Sequence, residues 1–419
     1  MERRKVMERN GKGSFVHQYY KPTEIICGRQ MKEWLPFSVS WWHNLGSQSM
    51  KGQFKHTSGI LYEAEKAELA FEMMKRLDIE YFCLQGSGGC GPAENLLQTE
   101  EQQKRLNVII EEKMNKYNSK LLWGAGNYIS LEQTELGAGT SPSLDVFLQS
   151  LALEKINVDT VLQLNGTGIM FWGGKEGYQC MADTNLRLEL DNRAEYIRKT
   201  IEYARKKGFK GQFYLEPKPK RPGRFQYHFD VAAAVLYLKE HDLDKEVKLC
   251  LDSYHAALAG HEFDYEFRMA KLFQTVGTID TSPDRFLDTA LSEIEQVKRW
   301  VLVMYDLIEL GGLSGGINFD PKDYREKYTE EFVMKALFCG QETLSWAFRA
   351  AAWLWENGKL EHLRSVRYEE ISKKEANYNM EEVWERMKGK HVKLERRFYT
   401  EERVNLLLEE AVKAVYIAD

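Results

Sequence analysis

The segments QFYLEPKP (212–219), VKLCLDSYHAALAGH (247–261), VGTID (276–280), FLDTA (286–290) and GGINFD (315–320) decide the fold. Four of them begin as short apolar, β-prone runs and finish on an acid, or on an acid with a basic partner. Glu216 and Lys218 close the first, Asp252 and His255 the second, Asp280 the third and Asp320 the last, with Asp288 in a loop after the third. Strands that each end on a carboxylate, separated by helix-length segments, describe a parallel α/β barrel whose site lies at the carboxyl-terminal rim.

The same alternation continues outward. PFSVSWW (36–42), IEYFCL (79–84), KLLWGAG (120–126) and TVLQLN (160–165) read as the four preceding strands. Helical apolar spacing is expected over 61–77, 94–117, 144–155, 186–207, 231–241, 263–273, 292–310 and 330–356. Eight strand–helix repeats are the number a (β/α)8 TIM barrel needs. The predicted organisation is an N-terminal arm (1–33), the barrel (34–358) and a C-terminal helical extension (359–419) that contacts a neighbouring subunit.

Bulk properties exclude several classes. A chain of 419 residues, 43% hydrophobic and 29% charged, reads as an ordinary soluble globular protein. A net charge of −5, without a block of like charge, speaks against nucleic acid or a membrane surface as partner. The MERRK start lacks the apolar core of a signal peptide. No run approaches the roughly 20 apolar residues of a membrane span. The six cysteines show no CxxC pairing, so a reducing cytoplasm is expected.

Glu216, Asp252, Asp280, Asp288 and Asp320 would crowd one rim, with only Lys218 and His255 as basic neighbours. Such a cluster does not stay ionised without cations. Oxygen donors with a single imidazole favour Mg²⁺, Mn²⁺ or Co²⁺ over structural zinc. Lys218 follows Glu216 by two residues and so shares its face in extended chain, where it can donate to a substrate oxygen as negative charge develops. Asp252 and His255, three residues apart, can chelate one ion.

The motifs WWHNLG (41–46), LLWGAGN (121–127), FWGGKEGY (171–178), EPKP (216–219), HFDVA (228–232), HAALAGH (255–261) and GGINFD (315–320) resemble those of the xylose isomerase family, from roughly residue 30 to 360. The resemblance implies a tetrameric (β/α)8 barrel with two divalent ions, interconverting an aldose and a ketose by a metal-assisted hydride shift. It implies that Glu216, Asp252, Asp280 and Asp320 bind a structural ion and that Asp252, His255 and Asp288 bind a catalytic one. Lys218 would hold the substrate carbonyl oxygen, and Trp42 and Trp172 would form apolar walls. The family's ring-opening histidine and aspartate correspond here to Gln85 and Gly88, and the fourth ligand of the catalytic ion to Ala290. Asp252 stands for a glutamate. Ala125, Ile129 and Met50 replace further pocket residues. Gln85 can hydrogen-bond a sugar oxygen but cannot shuttle a proton near neutral pH. The expected function is a metal-dependent sugar isomerase with an altered pocket and a weakened second metal site, acting poorly on D-xylose. The alternatives are a non-catalytic sugar-binding homologue, or an epimerase or lyase acting on a modified sugar at the same site.

Overall fold

The computed structural model describes residues 15–41, 54–56, 58–85, 93–126, 128, 131–172, 175–220, 223–281, 294–320, 329–374, 378–392 and 401–416. Eight parallel strands close into a barrel in chain order: β1 (Phe37–Ser40), β2 (Tyr81–Gln85), β3 (Lys120–Ala125), β4 (Gly168–Phe171), β5 (Gln212–Leu215), β6 (Val247–Asp252), β7 (Val276–Thr281) and β8 (Ile317–Phe319). Closure is made by β8 pairing with β1, Ile317 opposite Phe37 and Phe319 opposite Val39. The surrounding helices are α1 (Gly59–Arg76), α2 (Leu96–Tyr117), α3 (Leu144–Gln163), α4 (Leu186–Lys206), α5 (Val231–Glu240), α6 (Phe263–Leu272), α7 (Ile294–Leu310) and α8 (Glu330–Glu356). This is a (β/α)8 barrel followed, among the described residues, by three α-helices, α9 (Lys359–Tyr368), α10 (Met380–Met387) and α11 (Glu401–Ala414). Among the described residues, no helix is long and apolar enough to cross a membrane.

Local chemistry sets the helix starts. Asn95, Asn185, Asp230 and Thr329 each place a side-chain oxygen on a backbone N–H of the first turn, at Gln98, Leu188, Ala233 and Phe332. Such caps satisfy donors that the helix itself leaves open.

One strand departs from the sequence expectation. The run Thr160–Asn165 is not the fourth strand, because α3 continues through Gln163 and the strand is Gly168–Phe171. Val158, Val161 and Leu164 are buried at three-residue spacing, which is one face of a helix, and the helical period overrides the β-prone composition.

Two apolar cores result. The larger one lies between strands and helices. The smaller fills the barrel interior with Cys83, Trp123, Met170, Tyr214 and Cys250. Tyr214 is fully buried there and dictates the sequence around it. A Cβ at Gly168 or Gly277 would lie 2.6 Å from its ring, and one at Gly315 2.7 Å. Two strands and the segment leading into β8 therefore give up side chains to admit one aromatic plug, as close packing of the interior requires.

The chain's ends are tied down by charge. The carboxylate of Glu342 on α8 accepts from the backbone N–H groups of Gln18, Tyr19 and Tyr20, at 2.8, 3.0 and 3.0 Å. Beyond residue 358 the tail does two things. Leu360, Leu407, Leu408 and Ala411 bury against the barrel's own helices, and Arg364 joins Asp306 and Glu309 of α7. In contrast, α10 has no buried residue and leaves Met380 and Trp384 exposed.

A buried polar cluster lies between α4 and α5. Arg193 pairs with Glu176 at 3.1 Å, and both are almost fully buried. His228 packs against Tyr237 with ring centroids 4.2 Å apart and planes tilted by 50°, and neither of its ring nitrogens has a hydrogen-bond partner. Burial, followed by the charges of Arg193 and His241, pushes its pKa from 6.5 down to about 3.

Packing and charge can each be tested here. Gly277→Ala should drive its methyl into the Tyr214 ring and cost about 1–3 kcal/mol in urea-induced unfolding. His228 stays neutral in the folded chain and takes a proton below pH 6.5 only when unfolded. Its contribution to stability is therefore lost as pH falls below 6.5 towards 3. Between pH 7.5 and 5, wild type should lose about 2 kcal/mol relative to His228→Phe. Equal pH slopes for the two chains would contradict this.

Candidate active site

The carboxyl-terminal ends of β5 to β8 bring four carboxylates together. Glu216 directly follows β5, Asp252 ends β6, Asp280 is the penultimate residue of β7 and Asp320 follows β8. Their exposures are 8, 4, 4 and 2%. Strand register places Asp252 opposite Asp280, and Asp280 opposite Asn318. Parallel in-register strands therefore stack acids that sit far apart in sequence.

His255 enters this group through a helix cap. A short helix, Ser253–Ala259, starts directly after β6, and Asp252 Oδ1 accepts from the N–H groups of Tyr254 (2.7 Å) and His255 (3.1 Å). The cap turns the chain back over the rim. His255 Nδ1 then lies 3.0 Å from Glu216 Oε1 and 3.6 Å from Asp252 Oδ2. Despite this proximity the nitrogen has no hydrogen bond of acceptable geometry. One donor atom from each of Glu216, Asp252 and His255 lies within 4.8 Å of the other two, and all three residues are buried. Two buried carboxylates and an imidazole converging this closely fit a cation between them. Carboxylate oxygens with one imidazole fit a hard divalent ion.

The field of this cluster reaches the layer beneath. Burial, reinforced by Glu216, Asp280 and Asp252, holds the Cys250 thiol well above the usual thiol range. Burial does the same at Cys83, with Asp280 and Asp320 adding to it. Both thiols therefore stay protonated under the carboxylates.

Lys218 sits between Pro217 and Pro219 in the loop after β5, and its N–H donates to the carbonyl of His228 at 2.7 Å. Its Nζ lies 4.3 Å from the ring centroid of Trp172, the residue following β4. A cation over an aromatic face is held by the ring quadrupole, so lysine and tryptophan orient one another. Trp172 also packs on the interior aromatic cluster. Gln85 ends β2 and is half-buried, and Ala125 ends β3 and is buried, offering no polar group to the rim. Trp42, Asp288, Gly88, Ala290, Met50 and Ile129 lie outside the described residues.

Three supporting side chains escaped the sequence reading. Ser40 Oγ donates to Asp320 Oδ1 at 3.0 Å, and Asn318 Nδ2 donates to Asp280 Oδ1 at 2.9 Å. The signal was parity: Asn318 precedes Asp320 by two and so shares its face in β8. Glu176 is the third. It accepts from the N–H groups of Gly139 (2.8 Å) and Thr140 (3.1 Å), and so ties the 137–141 loop to the segment after β4.

Known proteins resemble this chain in sequence and in fold. No family model matches it. Xylose isomerase of Thermoanaerobacter sp. (strain X514) is 34% identical over 367 residues, 84% of each chain. Xylose isomerase of Thermotoga maritima is 35% identical over 363 residues, covering 84% of this chain and 82% of its own. Among solved structures, D-psicose 3-epimerase from Clostridium cellulolyticum H10 superposes with a TM-score of 0.50 at 13% identity, covering 75% of this chain and 98% of its own. A putative xylose isomerase from Rhodospirillum rubrum gives 0.52 at 14% identity over 74% and 98%. At these identities the structural matches speak for the barrel alone. The sequence matches carry more, since a third of all aligned positions agree over most of both chains, and the protein belongs to the xylose isomerase family.

Proposed function

We propose that the protein is a metal-dependent sugar isomerase that interconverts an aldose and a ketose, with a pocket altered so that D-xylose is a poor substrate. The observation that carries the metal is the buried Nδ1 of His255, 3.0 Å from Glu216 Oε1 and converging with Asp252 without a hydrogen bond of acceptable geometry. Family membership at 34–35% identity supports the reaction class.

In this reading Glu216, Asp252, Asp280 and Asp320 hold one divalent ion, Mg²⁺ or Mn²⁺ with Co²⁺ as a substitute. Asp252, His255 and Asp288 hold a second, weaker one, because Ala290 brings no carboxylate. A divalent ion bound there supplies Lewis-acid polarisation of the substrate oxygens. Lys218 donates a proton-bearing Nζ to the substrate carbonyl oxygen and stabilises the negative charge that develops on it. Trp172 holds that ammonium in place and, with Trp42, keeps water from the reacting carbons. Gln85 hydrogen-bonds the sugar without moving a proton, so ring opening is left to solvent or has occurred before binding. Ala125 leaves room where a larger polar residue would restrict the sugar. The protein is proposed to act in the cytoplasm as a homotetramer, with the exposed apolar side chains of α10 seated on a second copy.

A second reading is epimerisation of a modified sugar on the same carboxylates. Gln85 favours it, because a side chain unable to shuttle a proton removes the means of opening a cyclic aldose. A similar barrel is found in a D-psicose 3-epimerase and an L-ribulose 3-epimerase. A hydride shift keeps the migrating hydrogen, whereas proton abstraction exchanges it with solvent.

The test strips the protein of metal, reloads it with Mn²⁺, Mg²⁺ or Co²⁺ and supplies a panel of aldoses in D₂O, with ketose read by chromatography. Metal-dependent ketose without deuterium is expected, at a lower rate from D-xylose than from the best sugar. Incorporated deuterium would favour epimerisation, and no turnover with metal bound would leave a sugar-binding homologue. Lys218→Met should lower kcat/KM by roughly 10²–10³-fold without changing metal content. His255→Leu and Glu216→Gln should each weaken Mn²⁺ binding, measured by calorimetry. Unchanged affinity in both would contradict the metal site.

A further inference from the structure

Beneath the carboxylate rim a line of small polar groups crosses four adjacent strands, β2, β1, β8 and β7. Cys83 Sγ lies 3.3 Å from Ser38 Oγ. Ser38 Oγ donates to Asn318 Oδ1 at 3.1 Å, and Asn318 Nδ2 donates to Asp280 Oδ1 at 2.9 Å. Cys83, Ser38 and Asn318 are fully buried, and Asp280 is 4% exposed. We propose that Cys83, Ser38 and Asn318 form a one-directional hydrogen-bond chain that positions the Asp280 carboxylate for a divalent cation. The inference rests on the reading of Asp280 as a metal ligand.

The direction is set at the carboxylate end. An ionised carboxylate only accepts, so Asn318 must turn its NH₂ towards Asp280. Its carbonyl oxygen then faces Ser38, which must donate to it. A hydroxyl has one proton, and the other acceptor near it, the carbonyl of Ile317, is more distant at 3.5 Å. With that proton committed, the remaining partner of Ser38 is the thiol, which donates S–H to the hydroxyl oxygen. The thiol's burial beneath Asp280 and Asp320 keeps it protonated and so keeps it a donor.

Ser38 thus braces the amide orientation that Asp280 dictates, two strands away from the carboxylate it serves. Without its proton the Asn318 carbonyl oxygen loses its donor, and the amide is held from the Asp280 side alone. Outer partners that orient metal ligands are worth about 10–100-fold in metal affinity.

The experiment uses the full chain, stripped of metal and titrated with Mn²⁺, with free Mn²⁺ read by electron paramagnetic resonance. Ser38→Ala and Asn318→Leu should each raise the Mn²⁺ dissociation constant about 10–100-fold. Ser38→Thr, which keeps the hydroxyl, should restore wild-type affinity, a rescue that a packing role would not give. In parallel, the infrared S–H stretch of Cys83, assigned by its loss in Cys83→Ala, should move to higher frequency in Ser38→Ala. Mn²⁺ uptake by wild type with unchanged affinity in Ser38→Ala and Asn318→Leu would overturn the positioning role and leave the metal reading standing. A wild-type chain that takes up no Mn²⁺ would overturn the metal reading and this role with it. An S–H band unmoved by Ser38→Ala would overturn the chain's direction. Should Ser38→Ala not fold, Ser38→Cys, close in size and a weaker donor, is expected to weaken Mn²⁺ binding in the same sense, and unchanged affinity would count against the proposal.

Discussion

Mutual repulsion among four buried carboxylates is the constraint on which the rest of this barrel depends. Glu216, Asp252, Asp280 and Asp320 end neighbouring strands, none more than 8% exposed. The protein surrounds them with donors that fix oxygens in place: Ser40 on Asp320, Asn318 on Asp280 and the backbone of Tyr254 and His255 on Asp252. These bonds orient the carboxylate oxygens.

The interior layer shows how such a rim is held rigid. Tyr214 fills the barrel below Glu216, and Gly168, Gly277 and Gly315 make way for its ring. Asn318 is buried completely yet is satisfied on both sides of its amide. A half-satisfied network at this depth would destabilise more than an apolar filling would. The polar line through Ser38 and Asn318 is therefore tolerable because each named group in it has a partner.

Much of this was legible in the sequence, and the reasons differ from residue to residue. Strand ends that finish on acids announce themselves, because a carboxylate after a β-prone apolar run has few uses in a core. EPKP and FWGGKEGY were specific enough to point to a family. The fourth strand was not legible in the same way. TVLQLN is apolar and β-branched, but its burial follows Val158, Val161 and Leu164 around α3, and the real strand, GIMF, is only 4 residues long. Short apolar runs carry no period long enough to decide between the two. Ser40 and Asn318 were passed over because a hydroxyl and an amide look unremarkable until closure brings β8 beside β1. Arg193 and Glu176 pair at 3.1 Å across 17 residues, and no local pattern marks two charges as buried partners.

The position of Asp252 joins the architecture to the chemistry. One of its oxygens caps the short helix that follows, and the other faces His255. The side chain therefore has two tasks, ending a strand and presenting a donor, and the second is possible only because the first turns the chain sharply. A longer acid at this place would reach further over the rim but would not hold the first turn through the same oxygen, since the short side chains of Asp and Asn are the ones that fit an N-cap. His255 is delivered by that turn, three residues on, to within 3.0 Å of Glu216. The geometry of the imidazole is thus set by the capping bond at Asp252. A substitution that kept the charge at 252 but abolished the cap would move His255 away from Glu216, and the rim would keep its carboxylates while losing its only nitrogen donor among the described residues.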